Sequence, residues 1–158
     1  MMIYLFFKPL TIEKKDFIDM PLFEIQSFNM YEINRLGLKT ILSGSSSKRY
    51  ADRYTIDDMD YTDHTQKYIA NMQSKYGTYT EKQVRLSGDI QYVREDGLTF
   101  KSEEAFYDKD TGSVYTEKEY VAFKGENILT GTSLNYNNLT NNIESKNIEA
   151  TYQIQESK

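Results

Sequence analysis

From Phe23 onward, apolar and aromatic residues occupy alternate positions in short runs, and polar turn signals interrupt them every ten residues or so. Alternation with a period of two is the mark of a half-buried strand. The pattern predicts strands near 23–31, 38–46, 49–57, 67–74, 78–86, 88–94, 98–107, 113–117, 119–125, 127–135 and 142–154. "REDGL" (Arg94–Leu98) and "DKDTGS" (Asp108–Ser113) each set an acidic residue shortly before a glycine, as tight hairpins require. "INRLGL" (Ile33–Leu38) and "YNNLTNN" (Tyr136–Asn142) read as further turns, since Asn tolerates the left-handed region. Only Ile56–Met72 offers a helical alternative; its apolar spacing is irregular and it lacks a clean cap, so it too is expected to be extended.

The runs repeat. "ILSGSSSKRY" (Ile41–Tyr50) and "ILTGTSLNY" (Ile128–Tyr136) carry one phrase: apolar pair, small residue, glycine, polar residues, tyrosine. Tyr107 and Tyr136 lie 29 residues apart, as do Val114 and Ile143, and three such steps separate Gly44 from Gly131. A fixed step of this size suggests stacked hairpins, each needing neighbours to cover its apolar face. The expected fold is therefore all-β: an open antiparallel β-jelly roll, or sandwich of stacked hairpins folded over on itself.

Composition narrows the functions open to such a fold. The chain has 158 residues, enough for one domain with its own core, and 14 of them are Tyr. A net charge of −5 argues against nucleic acid as a partner, because phosphate neutralisation needs a basic stripe. The densest basic group is Lys48 and Arg49 with Arg53 nearby. There is no Cys, which excludes disulfides and thiol chemistry but leaves the compartment open. "MMIYLFFKPL" opens with seven apolar residues, short of the roughly 20 that span a bilayer. It fits the end of a membrane helix or a hydrophobic first strand equally well.

Catalytic signals are weak. His64, the one histidine, stands near Asp60 and Asp63 in a polar stretch, where an exposed and idle role is expected. Asp108, Asp110 and Glu119 imitate positions 1, 3 and 12 of a calcium loop, but Ser113 stands at position 6, where glycine is required, and a hairpin turn is expected instead. "NLT" (Asn138–Thr140) fits a glycosylation acceptor that Asn-rich turns produce by chance. No glycine-rich phosphate loop, Ser–His–Asp set or Cys/His cluster stands in the chain, so no cofactor or metal is expected. Binding, not catalysis, is the expected function. An open sandwich offers an apolar slot between its sheets and unpaired edge strands. A structural β-repeat of adhesin type, with a closed core, is the alternative.

The stretch "TEKEYVAFKGENILTGTSLNYNNLTNNIESKNIEATYQIQ" (Thr116–Gln155) resembles the LptC family of lipopolysaccharide export proteins, through Thr116, Val121, Phe123, Gly125, Gly131, Tyr152, Ile154 and Gln155. Phe28–Ile56 looks like the family's opening segment, with Gly37 at its turn, and Leu86–Asp108 is similar to a hairpin shared with LptA and OstA relatives. The match is poor over Asp57–Ser74. The resemblance implies a jelly-roll domain over 23–155, a linker over 11–22, and the end of an inner-membrane helix in 1–10. It implies a periplasmic, membrane-anchored protein that holds lipid A acyl chains between its sheets. Its implied partners are lipopolysaccharide, an ABC-type inner-membrane extractor complex, and a periplasmic LptA-like bridge protein joined edge to edge. Carried over by position, Phe28, Ile56, Ile143 and Tyr152 are the expected lipid contacts. Gly37, Gly125 and Gly131 are the expected structural or partner-sensitive sites, Gly125 through close backbone approach at a strand bend.

Overall fold

The structure, a computed structural model, describes residues 19–65, 67–108, 110–137, 140 and 142–154. The apolar N-terminal run, most of the linker, Asn138 of the acceptor motif and Gln155 lie outside the described residues. Six long strands come first: β1 (Phe23–Asn34), β2 (Gly37–Arg49), β3 (Tyr54–Asp63), β4 (Ala70–Tyr79), β5 (Gln83–Arg94) and β6 (Thr99–Asp108). Six short ones follow: β7 (Ser113–Thr116), β8 (Tyr120–Lys124), β9 (Asn127–Gly131), β10 (Ser133–Asn137), β11 (Asn142–Lys146) and β12 (Glu149–Thr151). All pairings are antiparallel and each long strand pairs with the next. The fold is all-β, an open sheet, as the alternation predicts.

β6 shows how the sheet folds over. Its end, Phe106–Asp108, pairs with β7, whereas its start, Thr99–Ser102, pairs with β8. Beyond it one wing continues β7–β10–β11 and the other β8–β9–β12. The short strands are thus three bent strands, each cut in two at the fold line. The sheet is in effect nine bent strands deep.

The long strands bend at the same line without breaking. Ser27, Asp58 and Asp89 take positive φ there (49°, 49° and 46°), and Asn147 does so between β11 and β12. Short polar side chains tolerate this backbone better than other non-glycine residues. At each bend the inward-facing positions step by three or four instead of two: Ile25 to Phe28, Ile56 to Met59, Leu86 to Ile90. An extra residue of this kind is what a bulge inserts, and it lets both halves of one strand face the same interior.

Two expectations need correction. Residues 78–86 are not one strand but run from the end of β4 through the turn at Thr80–Lys82 into β5. Residues 88–94 continue that same β5, where Gly88 and Asp89 bend the chain without reversing it. The third strand starts at Tyr54, not Arg49, because Tyr50–Arg53 forms the turn, closed by the Tyr50 amide donating to the Arg53 carbonyl at 2.7 Å. Ile56–Met72 is extended, forming β3 and the start of β4.

Candidate functional site

The ladders place most of the inner face in four rows, two per wing, and a shorter polar row of Glu32, Thr40, Asp63, Ala70 and Arg94 lies beyond them in the second wing. Nearest the bend in the first wing run Ile25, Ser47, Ile56, Gly77, Leu86 and Ala105. Nearest the bend in the second wing lie Phe28 opposite Gly44, Met59 opposite Ser74, and Ile90 opposite Ser102, with Ser102, Tyr120 and Gly131 continuing the row. Large and small residues alternate along both rows. From β1 to β6 the odd strands supply the bulk and the even strands the gaps, and beyond the fold-over Tyr120 on β8 is large and Gly131 on β9 small. This is how side chains interdigitate where two wings converge.

This alternation accounts for the repeated glycine phrase. A Cβ on Gly44 would stand 2.8 Å from the Ile56 side chain and 3.0 Å from the Phe28 ring. One on Gly131 would stand 2.7 Å from the Tyr120 ring. Each glycine makes room for the aromatic ring directly across the ladder. Ile56, Met59, Leu86 and Ile90 are buried together, Met59 being 1% exposed, and form a packed floor. The Tyr79 hydroxyl, from the first wing, reaches Met59 Sδ at 3.2 Å, and burial, with Tyr61 nearby, pushes this phenol up to about 12.

The walls differ from the floor. The outer row of the second wing runs Met30, Leu42, Tyr61, Met72, Tyr92, Phe100, Ala122 and Leu129. That of the first wing begins Phe23, Arg49, Tyr54, Tyr79 and Val84, and continues through Tyr107, Val114 and Tyr136 to Ile143. Here large residues follow one another with few gaps, and many stay in contact with solvent: Phe23, Met30, Tyr54, Tyr107, Val114 and Ile143 are all exposed. At the β1 end the walls part into a cavity of about 870 Å³, lined by Phe28, Met30, Leu42, Ile56 and Tyr79 with Arg49 and Tyr54 at its rim. That volume falls in the range of small-molecule sites.

Toward the other end the interior is filled. Phe100 stacks on Tyr120 at 5.6 Å, and the Tyr120 and Ser145 hydroxyls share a 2.8 Å hydrogen bond across the bend. A second hollow, about 640 Å³, lies among Asp89, Lys101, Glu103 and Glu119 and reaches Tyr120 and Gly131. Among the described residues no cluster of acids or histidine could hold a metal ion.

Phe28 and Ile56 are therefore brought together in one cavity wall. Ile143 lies on the same inner face at the far end, and Tyr152 follows β12 by one residue; they are 64% and 73% exposed. Gly37 closes the β1–β2 turn with φ 125°. Gly125 occupies the β8–β9 turn at φ 60°, and a Cβ there would meet nothing within 4 Å. Its need for glycine comes from the left-handed backbone, not from the close approach expected of it; close approach belongs to Gly131.

The weak catalytic candidates do not converge. Asp60 accepts hydrogen bonds from the Asn71 and Gln73 side chains at 2.6 and 2.8 Å, and Asp63 accepts from Thr65. Against expectation His64 is only partly exposed, and its buried Nδ1 meets no partner among the described residues. Asp108 accepts the amides of Asp110 and Thr111, which makes it a turn residue, and its pKa is lowered by those bonds, led by Thr111.

Sequence reasoning missed Met30, Leu42 and Tyr79 as wall residues. Their signal was present: Leu42 and Met72, or Arg49 and Tyr79, sit 30 residues apart at equivalent places in the repeat.

A comparison with curated proteins finds no match. The family model described as lipopolysaccharide-assembly, LptC-related, matches residues 5–153, nearly the whole chain and including the bent β-sheet just described. The chain belongs to the LptC family, and its role lies in lipopolysaccharide transport.

Proposed function

We propose that the trough holds the acyl chains of lipopolysaccharide while sugars and phosphates stay in water, and that the chain passes the lipid on without chemistry. The observation that carries this reading is the cavity at the β1 end, whose walls are apolar and incompletely covered although the floor beneath is close-packed. Each methylene withdrawn from water contributes about 0.8 kcal/mol, so several chains are held firmly without a hydrogen-bonding code. Exposed apolar rows on an inner face are a cost to a protein with no ligand for them. A closed core, the alternative, describes the floor alone.

Transfer requires a continuous path, and the edges provide for one. β1 borders the sheet on one side and β11 and β12 on the other, each with one ladder face unpaired. Strand addition at β12 and β11 would join the trough to that of an LptA-like bridge protein, and the β1 side would face the ABC-type extractor in the inner membrane. The chain acts in the periplasm, anchored through its N-terminus. Among the described residues no helix is long and apolar enough to cross a membrane.

Photo-crosslinking tests this directly. A light-activated residue replaces Phe28 and, in parallel, Ile143; Glu149, which pairs with Thr130 on the outer face, serves as control. Lipopolysaccharide adducts are expected at the first two positions and not at the third. A folded protein that gives no adduct at either inner position would sink the proposal.

A further inference from the structure

Among the described strand residues that line the acyl cavity one is charged. Farther out in the second wing Glu32, Asp63 and Arg94 share a further inner row, where Arg94 is already paired with Asp96 at 2.7 Å. Along the four rows described above every strand residue is apolar, aromatic, small or hydroxylic except Arg49, at the end of β2. A solvated strand end could hold an arginine by chance. Its surroundings argue otherwise.

Three basic residues lie in this corner, and two are already engaged. Lys48 alternates to the outer face and approaches Glu24 at 3.9 Å. Arg53 is held by Asp19 at 3.1 Å and Asp52 at 2.9 Å, and its guanidinium stacks over Tyr50. Arg49 has no carboxylate within ion-pair distance among the described residues. Its guanidinium instead lies 5.3 Å from the centroid of the Tyr54 ring, its neighbour across the ladder. That contact fixes the group's position and leaves its N–H fork open. The acids at the same rim are Asp52, which Arg53 occupies, and Glu81 in the turn beyond Tyr79.

We infer that Arg49 is an anion site at the rim of the acyl cavity, taking a phosphate monoester of the same amphiphile whose chains lie on Phe28 and Ile56. The inference rests on the acyl-chain reading above and adds where the head group sits. A guanidinium offers two parallel N–H donors matched to phosphate oxygens, and beside an apolar wall the pair is screened less than in open water. The site orients the ligand: chains inward, phosphate at the β2–β3 corner.

The test is equilibrium binding of the purified protein to two probes, an acylated diglucosamine bearing phosphate monoesters and the same lipid with its phosphates removed. Wild type is expected to prefer the phosphorylated lipid by roughly tenfold, the worth of a charge-assisted bond. Arg49→Gln is expected to abolish that preference by weakening the phosphorylated lipid alone, and Arg49→Lys to restore part of it. Arg49→Gln that keeps the preference, or that weakens both lipids equally, would overturn the assignment. Binding of neither lipid to wild type would sink the acyl reading itself; equal binding of both would sink only the Arg49 site. Inorganic phosphate is expected not to displace the lipid at equal concentration. Displacement that depends on Arg49 would make this a free-anion site and overturn the lipid assignment.

Discussion

The two ends of the trough begin from the same local device and finish differently. At each, a glycine on one strand faces an aromatic ring on its neighbour: Gly44 on β2 and Phe28 on β1, Gly131 on β9 and Tyr120 on β8. At the second end Phe100 covers the ring, Ser145 ties its hydroxyl, and the interior is full. At the first, Phe28 has the cavity on its open side. A glycine opposite an aromatic ring therefore does not make a binding site; it lets the wings converge. Whether a pocket results depends on the next row out, and there the β1 end has Met30 and Leu42 facing Arg49 and Tyr54 across an unfilled gap.

The comparison breaks first at the floor. If the open end is unfilled only at its walls, Met59→Ala removes a fully buried side chain and is expected to cost about 2–5 kcal/mol in denaturant unfolding. A loss below about 1 kcal/mol would mean that the floor is as loose as the walls. At the filled end, Gly131→Ala drives a methyl group into the Tyr120 ring and the Ser145 hydroxyl, 2.7 and 2.8 Å away. The expected cost is about 1–3 kcal/mol, because Phe100 stacks on the ring and Ser145 holds its hydroxyl. A neutral substitution would show that this end is open too.

The smallest effect concerns the Tyr79 bar between the wings. Its pKa, raised above that of an unfolded tyrosine, favours the folded state while the phenol is neutral. This contribution is fully present below about pH 10 and is lost as pH rises toward 12. Absorbance titration near 295 nm should contain a late-ionising component that Tyr79→Phe removes. The variant's stability should also fall less between those pH values. A Tyr79 that titrates with the exposed phenols would mean that the wings part at this point.

Most of the architecture was legible because the repeat is written in side-chain size as well as in polarity. Gly44 and Gly131 could be matched across the chain before any strand was placed. β5 was misread because the alternation breaks at Ser87–Gly88, where the chain bends and keeps its partners, while the turn at Thr80–Lys82 carries no glycine, proline or asparagine to mark it. The start of β3 was misread because "YADR" contains neither Gly, Pro nor Asn to mark the turn. Within the site, Phe28 and Ile56 could be placed on the inner face, but Lys48 and Arg49 could not be told apart. Which of two adjacent basic residues points inward depends on the three-residue step at the bend, and hydrophobic alternation alone does not reveal where that step falls. Gly125 shows the opposite limit: the residue was marked, but the reason was visible only in its backbone angle.

The bend gives the trough a unit of length. Every two bent strands use about 29 residues and present the same large and small positions to the interior, so one unit can be removed or added without turning any other side chain inside out. Neighbouring strands lie about 4.8 Å apart, so a unit changes the hold by roughly 10 Å. Capacity in such a protein is set in whole steps. A longer ligand would be met by one more copy of the repeat, and a single-residue insertion at a bend would invert half a strand and gain no length at all.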